Sequence, residues 1–222
     1  MHKIDQSIKG IMKHLFSTLL LLMLFSCGKE KVIQLPEINQ SKITEVLDIS
    51  PAYLFYDETK PDSIELNRKN LISTTNWLVN VDKRLNLGQV IPSIRFIQNK
   101  KRNAQMHKNK DAKNYYTCHD KSINSLGFIE FTNINYHLEE LEDYLKSQNI
   151  SKYHVLNFNR NGITVNNRSV KMEDLRGLDS TKTKVFLKFD KELSFQEYIS
   201  YKEHLIKLES SQRNIDNDEF IY

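Results

Sequence analysis

Shifting the chain by 108 residues lays LVNVDKRLNLGQVI (78–91) over FLKFDKELSFQEYI (186–199). Asp82/Asp190, Lys83/Lys191, Leu85/Leu193 and Ile91/Ile199 are identical in this overlay, and Val79/Leu187, Val81/Phe189, Leu87/Phe195 and Val90/Tyr198 stay apolar. Such a repeat constrains the fold more than any single motif, because one supersecondary unit must serve twice. Alternating apolar residues (Trp77, Val79, Val81; Val185, Leu187, Phe189) predict strands over 75–81 and 184–189. Asn86 or Ser194, followed three residues later by Gln89 or Glu197, has the pattern of a capping box, so each strand exits sharply into a helix. Those helices carry Leu87, Val90, Ile91, Ile94 and Ile97 in the first copy and Phe195, Tyr198, Ile199, Leu205 and Leu208 in the second, largely on one face, as a helix covering a sheet requires. Pro92 removes one backbone donor near the start of the first helix.

A hairpin is expected upstream of each strand. In the second copy 153–158 turns through Arg160-Asn161-Gly162 into 163–166, and Asn-Gly is a strong hairpin signal. In the first, 52–56 and 63–67 flank Lys60-Pro61-Asp62. The second copy is longer, and its extra residues fall in 172–178, which reads as a short helix with Gly177 near its end. A further strand is expected over 127–134, a helix over 137–146 bridging the copies, and an acidic tail over 209–222 that either frays or neutralises basic residues elsewhere.

The run Leu15–Cys27 is the one strongly apolar stretch, and at thirteen residues it is short for a bilayer core of about 30 Å. Lys3, Lys9 and Lys13 precede it, Ser26-Cys27 ends it, and Met12 offers a second start, which together read as a secretory signal. This stretch resembles the lipobox of bacterial lipoproteins. The resemblance implies cleavage after residue 26, lipidation of Cys27 and a membrane partner reached through that anchor. With no aspartate after Cys27, it further implies the outer membrane, on its periplasmic face or at the cell surface. Residues 27–42 read as a lipidated tether. Lipidation of Cys27 would leave Cys118 alone, so the core rather than a disulfide must hold the fold.

Residues 152–208, with NGITVNNRSV, a short helix, KVFLKFDKELSFQEYI and a closing helix, resemble the periplasmic domain of the ExbD/TolR biopolymer-transport family; 52–98 form a diverged second match. The resemblance implies an α+β fold of two related units, 43–136 and 137–222, each a small mixed sheet with helices packed on one face. It also implies a homodimer and a partner that is an envelope protein or peptidoglycan. The membrane-spanning helix with an aspartate that drives motion in that family has no counterpart in Leu15–Cys27, which contains no acidic residue. Asp82 and Asp190 fall at the family's strand-end position and read as carboxylates bonding backbone amides.

The chain carries a net charge of +4, and the segment 95–113 alone holds seven basic residues against Asp111. Within it Lys100, Lys101, Arg102, His107, Lys108 and Lys110 are the candidate binding residues, suited to phosphates or carboxylates of a wall polymer or lipopolysaccharide rather than to nucleic acid. The alternative is a solvated helix end, where cations also suit the helix dipole. Tyr115-Tyr116-Thr117-Cys118-His119-Asp120 gathers a thiol, an imidazole and a carboxylate, and with His107 raises a thiol-dependent hydrolase. On a strand, however, Cys118 and His119 would point to opposite faces. No spacing suggests a metal or cofactor. The expectation is a non-catalytic, lipid-anchored envelope module linked to biopolymer transport, with polyanion or cell-wall binding and the thiol hydrolase as the alternatives.

Overall fold

The computed structural model describes residues 31–103, 109–177, 183–208 and 215–222. Residues 33–222 form one α+β unit containing two six-stranded mixed sheets. The chain runs β1 (Glu37–Ile38), β2 (Ile49–Tyr56), β3 (Ile64–Asn67), β4 (Asn76–Val81), α1 (Leu87–Arg102), β5 (Asn114–Asp120) and β6 (Ser125–Glu130) through the first sheet. It continues through β7 (Asn135–His137), α2 (Leu141–Ser147), β8 (Tyr153–Asn159), β9 (Gly162–Val165), β10 (Arg168–Val170), a 3-10 turn (Met172–Gly177), β11 (Lys184–Phe189), α3 (Phe195–Leu208) and β12 (Ile215–Ile221).

Both halves follow one plan. β2 pairs antiparallel with β3 and parallel with β4, and α1 crosses to the parallel β5; β8, β9, β11, α3 and β12 repeat these steps. The helices begin where the spacing predicts. Asn86 accepts from the Gln89 amide at 2.9 Å while Gln89 Oε1 accepts from the Asn86 amide at 2.9 Å, a complete capping box. In the second copy Glu197 Oε2 accepts from the Ser194 amide at 2.7 Å. Asp82 and Asp190 close the same turn, accepting from the amides of Arg84 at 3.1 Å and Glu192 at 2.9 Å.

The repeats meet at this turn. Asn86 and Ser194, equivalent under the 108-residue shift, form an antiparallel bridge. Around it Leu87 N donates to Leu193 O at 2.9 Å and Phe195 N to Leu85 O at 2.6 Å, while Gly88 N donates to Lys191 O at 2.9 Å and Gln196 N to Lys83 O at 3.2 Å. The shift carries each bond onto its mate, so the halves are related by an approximate two-fold axis between Asn86 and Ser194. Helices α1 and α3 touch across it, and one continuous apolar core holds Val79, Leu87 and Ile91 together with Leu187, Phe195 and Ile199. Helix α2 packs Leu141 and Leu145 on Phe186 and Phe220, apart from that core.

Several expectations are corrected at their edges. The tether does not run free to residue 42: Gln34 O accepts from Lys83 N at 2.7 Å, Pro36 O from His119 N at 2.8 Å, and β1 pairs with the end of β5. The expected helix 137–146 starts only at Leu141, because His137 ends β7 beside β12. The hairpin turn is centred on Arg160-Asn161 rather than Asn161-Gly162, since Asn159 pairs with Gly162, whose φ of +128° suits glycine alone. A second turn at Asn166-Asn167, both in the left-handed region, joins β9 to β10. The tail does not fray at 215–221: it is β12, buried at Glu219, Phe220 and Ile221.

Candidate binding surface

Helix α1 runs back from the carboxyl ends of the strands and delivers Lys100, Lys101 and Arg102 in its last turn, near the amino ends of β2, β4 and β5. Cations there also suit the exposed carbonyls of the helix end. The three are not alike. Lys100 is exposed. Lys101 turns inward, donating to Thr75 O at 3.1 Å, Lys113 O at 3.2 Å and Asn114 Oδ1 at 2.9 Å, with Nζ 4.7 Å from the centre of the Trp77 ring. Loss of water pulls its ammonium down to about 8. It is a strut joining α1 to β4 and β5. Arg102 donates to Thr132 O at 3.3 Å and Ile134 O at 2.9 Å, tying the helix end to the turn after β6.

Lys110 is exposed on the loop entering β5, and Asn109 beside it donates to Thr74 O at 2.9 Å. Lys113 pairs with Glu130 at 3.0 Å. His107 and Lys108, like Cys27, lie outside the described residues. The structure thus brings Lys100, Lys110 and Lys113 to one end of the first sheet and withdraws Lys101 into its fabric.

The same end carries Leu47, Ile49 and Ile72, which sequence reasoning missed. Asn76 connects them to the basic loop: its Nδ2 donates to Leu47 O at 2.8 Å and its Oδ1 accepts from Lys113 N at 2.8 Å. Ile72 O accepts from Trp77 Nε1 at 2.6 Å, and Ile72 N donates to Ser50 Oγ at 3.1 Å. Nothing local marks these side chains, since isolated apolar residues in a polar loop are common on any surface. Only the pairing of β2 with β4 brings 47–49 beside 72–76.

The Cys118 cluster divides as strand alternation requires. Cys118 faces the core with no exposure, and burial pushes its thiol well above the ordinary range, away from the reactive thiolate. His119 faces outward and contacts Asn124 Oδ1 at 3.3 Å. Asp120 receives the Ser122 hydroxyl at 2.6 Å and the amides of Ser41 at 2.6 Å and Gln40 at 3.2 Å, and these donors hold its carboxyl down at about 2. Among the described residues no group of three His, Cys, Asp or Glu side chains is placed to hold a metal ion.

A second polar constellation lies in the core. Tyr116 and Tyr136 share a hydroxyl contact of 2.6 Å, Tyr136 meets Tyr198 at 3.1 Å, Tyr198 donates to Glu219 Oε2 at 2.8 Å, and Lys202 donates to the other oxygen of Glu219. Desolvation raises all three phenols well above their usual range. In strand register Tyr116 faces Val79 as Glu219 faces Leu187, so equivalent positions of the two repeats enter one chain of hydrogen bonds. Its members are closed in by one another and by the stacked ring of Phe131 at 3.9 Å from Tyr116.

The chain matches no protein-family model, no curated protein and no solved structure. Among the described residues, no helix is long and apolar enough to cross a membrane.

Proposed function

We propose that this is a lipid-anchored bacterial envelope protein, placed at the outer membrane through Cys27, whose two ExbD/TolR-like units form a non-catalytic interaction module. The anchor rests on the Leu15–Cys27 stretch of the sequence, and the observation that supports a duplicated module is the junction at Asn86 and Ser194, where two copies of a hairpin, strand, helix and strand unit pair symmetrically. A duplicated scaffold that spends its polar groups on turns, caps and a closed core network leaves its surfaces for partners. An envelope protein or peptidoglycan is the proposed class of partner, with a role linked to biopolymer transport.

The thiol hydrolase is the weaker reading, because Cys118 is buried with its thiol held protonated while His119 points to the opposite face. Two experiments test the proposal. Palmitate incorporation in a bacterial host should be lost in Cys27→Ala, and retention of label would remove the anchor. Crosslinking in the intact envelope should recover the same partners from wild type and Cys118→Ser; partners or a cellular role that depend on the thiol would favour an enzyme instead.

A further inference from the structure

Large apolar side chains scattered singly on a surface need no explanation, but three at one end of a sheet do. Leu47 is 72% exposed, Ile72 55% and Ile49 47%, and the bonds through Asn76, Ser50 and Trp77 hold them at the amino ends of β2 and β4. Lys69, three residues before Ile72, is exposed, and so are Lys100 and Lys110. Among the described residues none of these three lysines has an ion-pair partner. The acids at this end are Glu45, Asp48 and Asp111, with Glu130 taken up by Lys113; Arg68, Lys101 and Arg102 add further positive charge. Cations outnumber anions around an apolar centre.

We infer that this end of the first sheet docks on an anionic phospholipid surface, Leu47, Ile49 and Ile72 entering the boundary between headgroups and acyl chains while Lys69, Lys100 and Lys110 face the phosphates. A soluble polyanion would be served by the lysines alone and would leave the apolar side chains without a role. A neutral apolar partner would leave the lysines without one. A surface presenting negative charge above hydrocarbon uses both. The inference goes beyond the proposed function and does not depend on lipidation of Cys27.

The chain's single tryptophan supplies the test. Trp77 lies within this end, bonded to Ile72 and covered by Lys101, so an acyl-brominated lipid quenches it only when this surface meets the bilayer. The full chain is mixed with vesicles of phosphatidylcholine, or of phosphatidylcholine with phosphatidylglycerol, each with brominated acyl chains, and quenching and sedimentation are read together. Anionic vesicles should quench Trp77 in a salt-sensitive manner and neutral vesicles should not. Each lysine near such a surface contributes about fivefold to partitioning, so Lys100→Glu/Lys110→Glu should weaken the quenching isotherm by about 25-fold or more. Leu47→Asp/Ile72→Asp should abolish quenching, with an unchanged emission maximum in buffer reporting an intact fold. Sedimentation without quenching would mean attachment through the amino-terminal apolar run alone and would overturn the inference. Inorganic polyphosphate binding that is indifferent to Leu47→Asp/Ile72→Asp, with no vesicle quenching, would overturn it in favour of a soluble polyanion.

Discussion

Gly127 shows how one residue fixes a whole approach. A Cβ built there would lie 2.7 Å from Ser41 Cβ and 2.9 Å from Ser41 Oγ, closer than side chains come, so β6 and the segment before β2 can pack only on a bare backbone. Ser41 has no freedom to retreat, since its Oγ donates to Ile43 O at 2.8 Å and its amide donates to Asp120 at 2.6 Å. Gly127→Ala should therefore cost about 1–3 kcal/mol by overpacking, read as a lower urea midpoint with an unchanged slope. Gly162→Ala meets open space but must hold φ at +128°, so its cost is backbone strain instead. Cys118 belongs at this scale too: strand alternation alone separates it from His119, and that much is legible in the order of the residues.

At the scale of elements, the segment leading into β1 and on to Ile43 is held in place largely by acidic side chains. Asp82 accepts from the Gln34 amide at 3.1 Å, Glu203 from the Asn39 amide at 2.9 Å, and Asp120 from Gln40 and Ser41, while Glu37 itself pairs with Lys83 at 2.6 Å and Lys121 at 3.2 Å. Burial would raise the Asp82 carboxyl, but the Arg84 guanidinium and amide and the Gln34 amide outweigh it and hold it below its ordinary value. Asp120, at about 2 against 3.8 unpaired, contributes stability that is complete above pH 3.8 and lost as pH falls through 2, because the unfolded chain takes up its proton first. Asp120→Asn should flatten the acid limb of a stability profile between pH 4 and 2 and should increase hydrogen exchange at Gln40 and Ser41; an unchanged limb would place the latch elsewhere. The capping boxes make the complementary case. Asn86→Ala should cost about 1 kcal/mol, measured by thermal denaturation, through loss of the side-chain cap on the Gln89 amide, while the backbone bridge to Ser194 stays in place.

For the whole molecule, the halves share one apolar core, and polar groups join them at the backbone junction of Asn86 and Ser194 and along the chain of hydroxyls from Tyr116 through Tyr136 and Tyr198 to Glu219. Burial keeps all three phenols protonated in the fold, while in the unfolded chain they ionise near pH 10. Below about pH 9 they add nothing to the pH dependence; as pH rises through 10 the unfolded chain loses protons that the folded one keeps, and stability falls steeply. Tyr136→Phe should lower stability at neutral pH by about 1–2 kcal/mol through the partner taken from its neighbours, and should make the alkaline fall shallower because one titrating group is gone. Urea midpoints from pH 8 to 10.5 check both effects. An alkaline limb as steep as that of the wild type would show that Tyr136 does not stay protonated in the fold.

Local chemistry is written in the residue order: the strands ending at Val81 and Phe189, the capped helices after them, the carboxylates that close each turn and the short helical insert that lengthens the second copy. These are set by interactions a few residues apart, so periodicity and cap spacing carry them. What depends on distant partners came only with the fold. Whether Lys101 is a free cation or a strut rests on carbonyls 12 and 26 residues away. The acidic tail became β12 because Glu219 finds Tyr198 and Lys202, and Asp218 finds His137 at 2.7 Å and Tyr144 at 2.7 Å. The apolar end at Leu47 and Ile72 exists only once β2 and β4 are side by side. The repeat is visible as a 108-residue shift, but that its copies face each other across Asn86 and Ser194 follows from hydrogen bonds between backbones. A linear pattern of side chains does not encode these bonds.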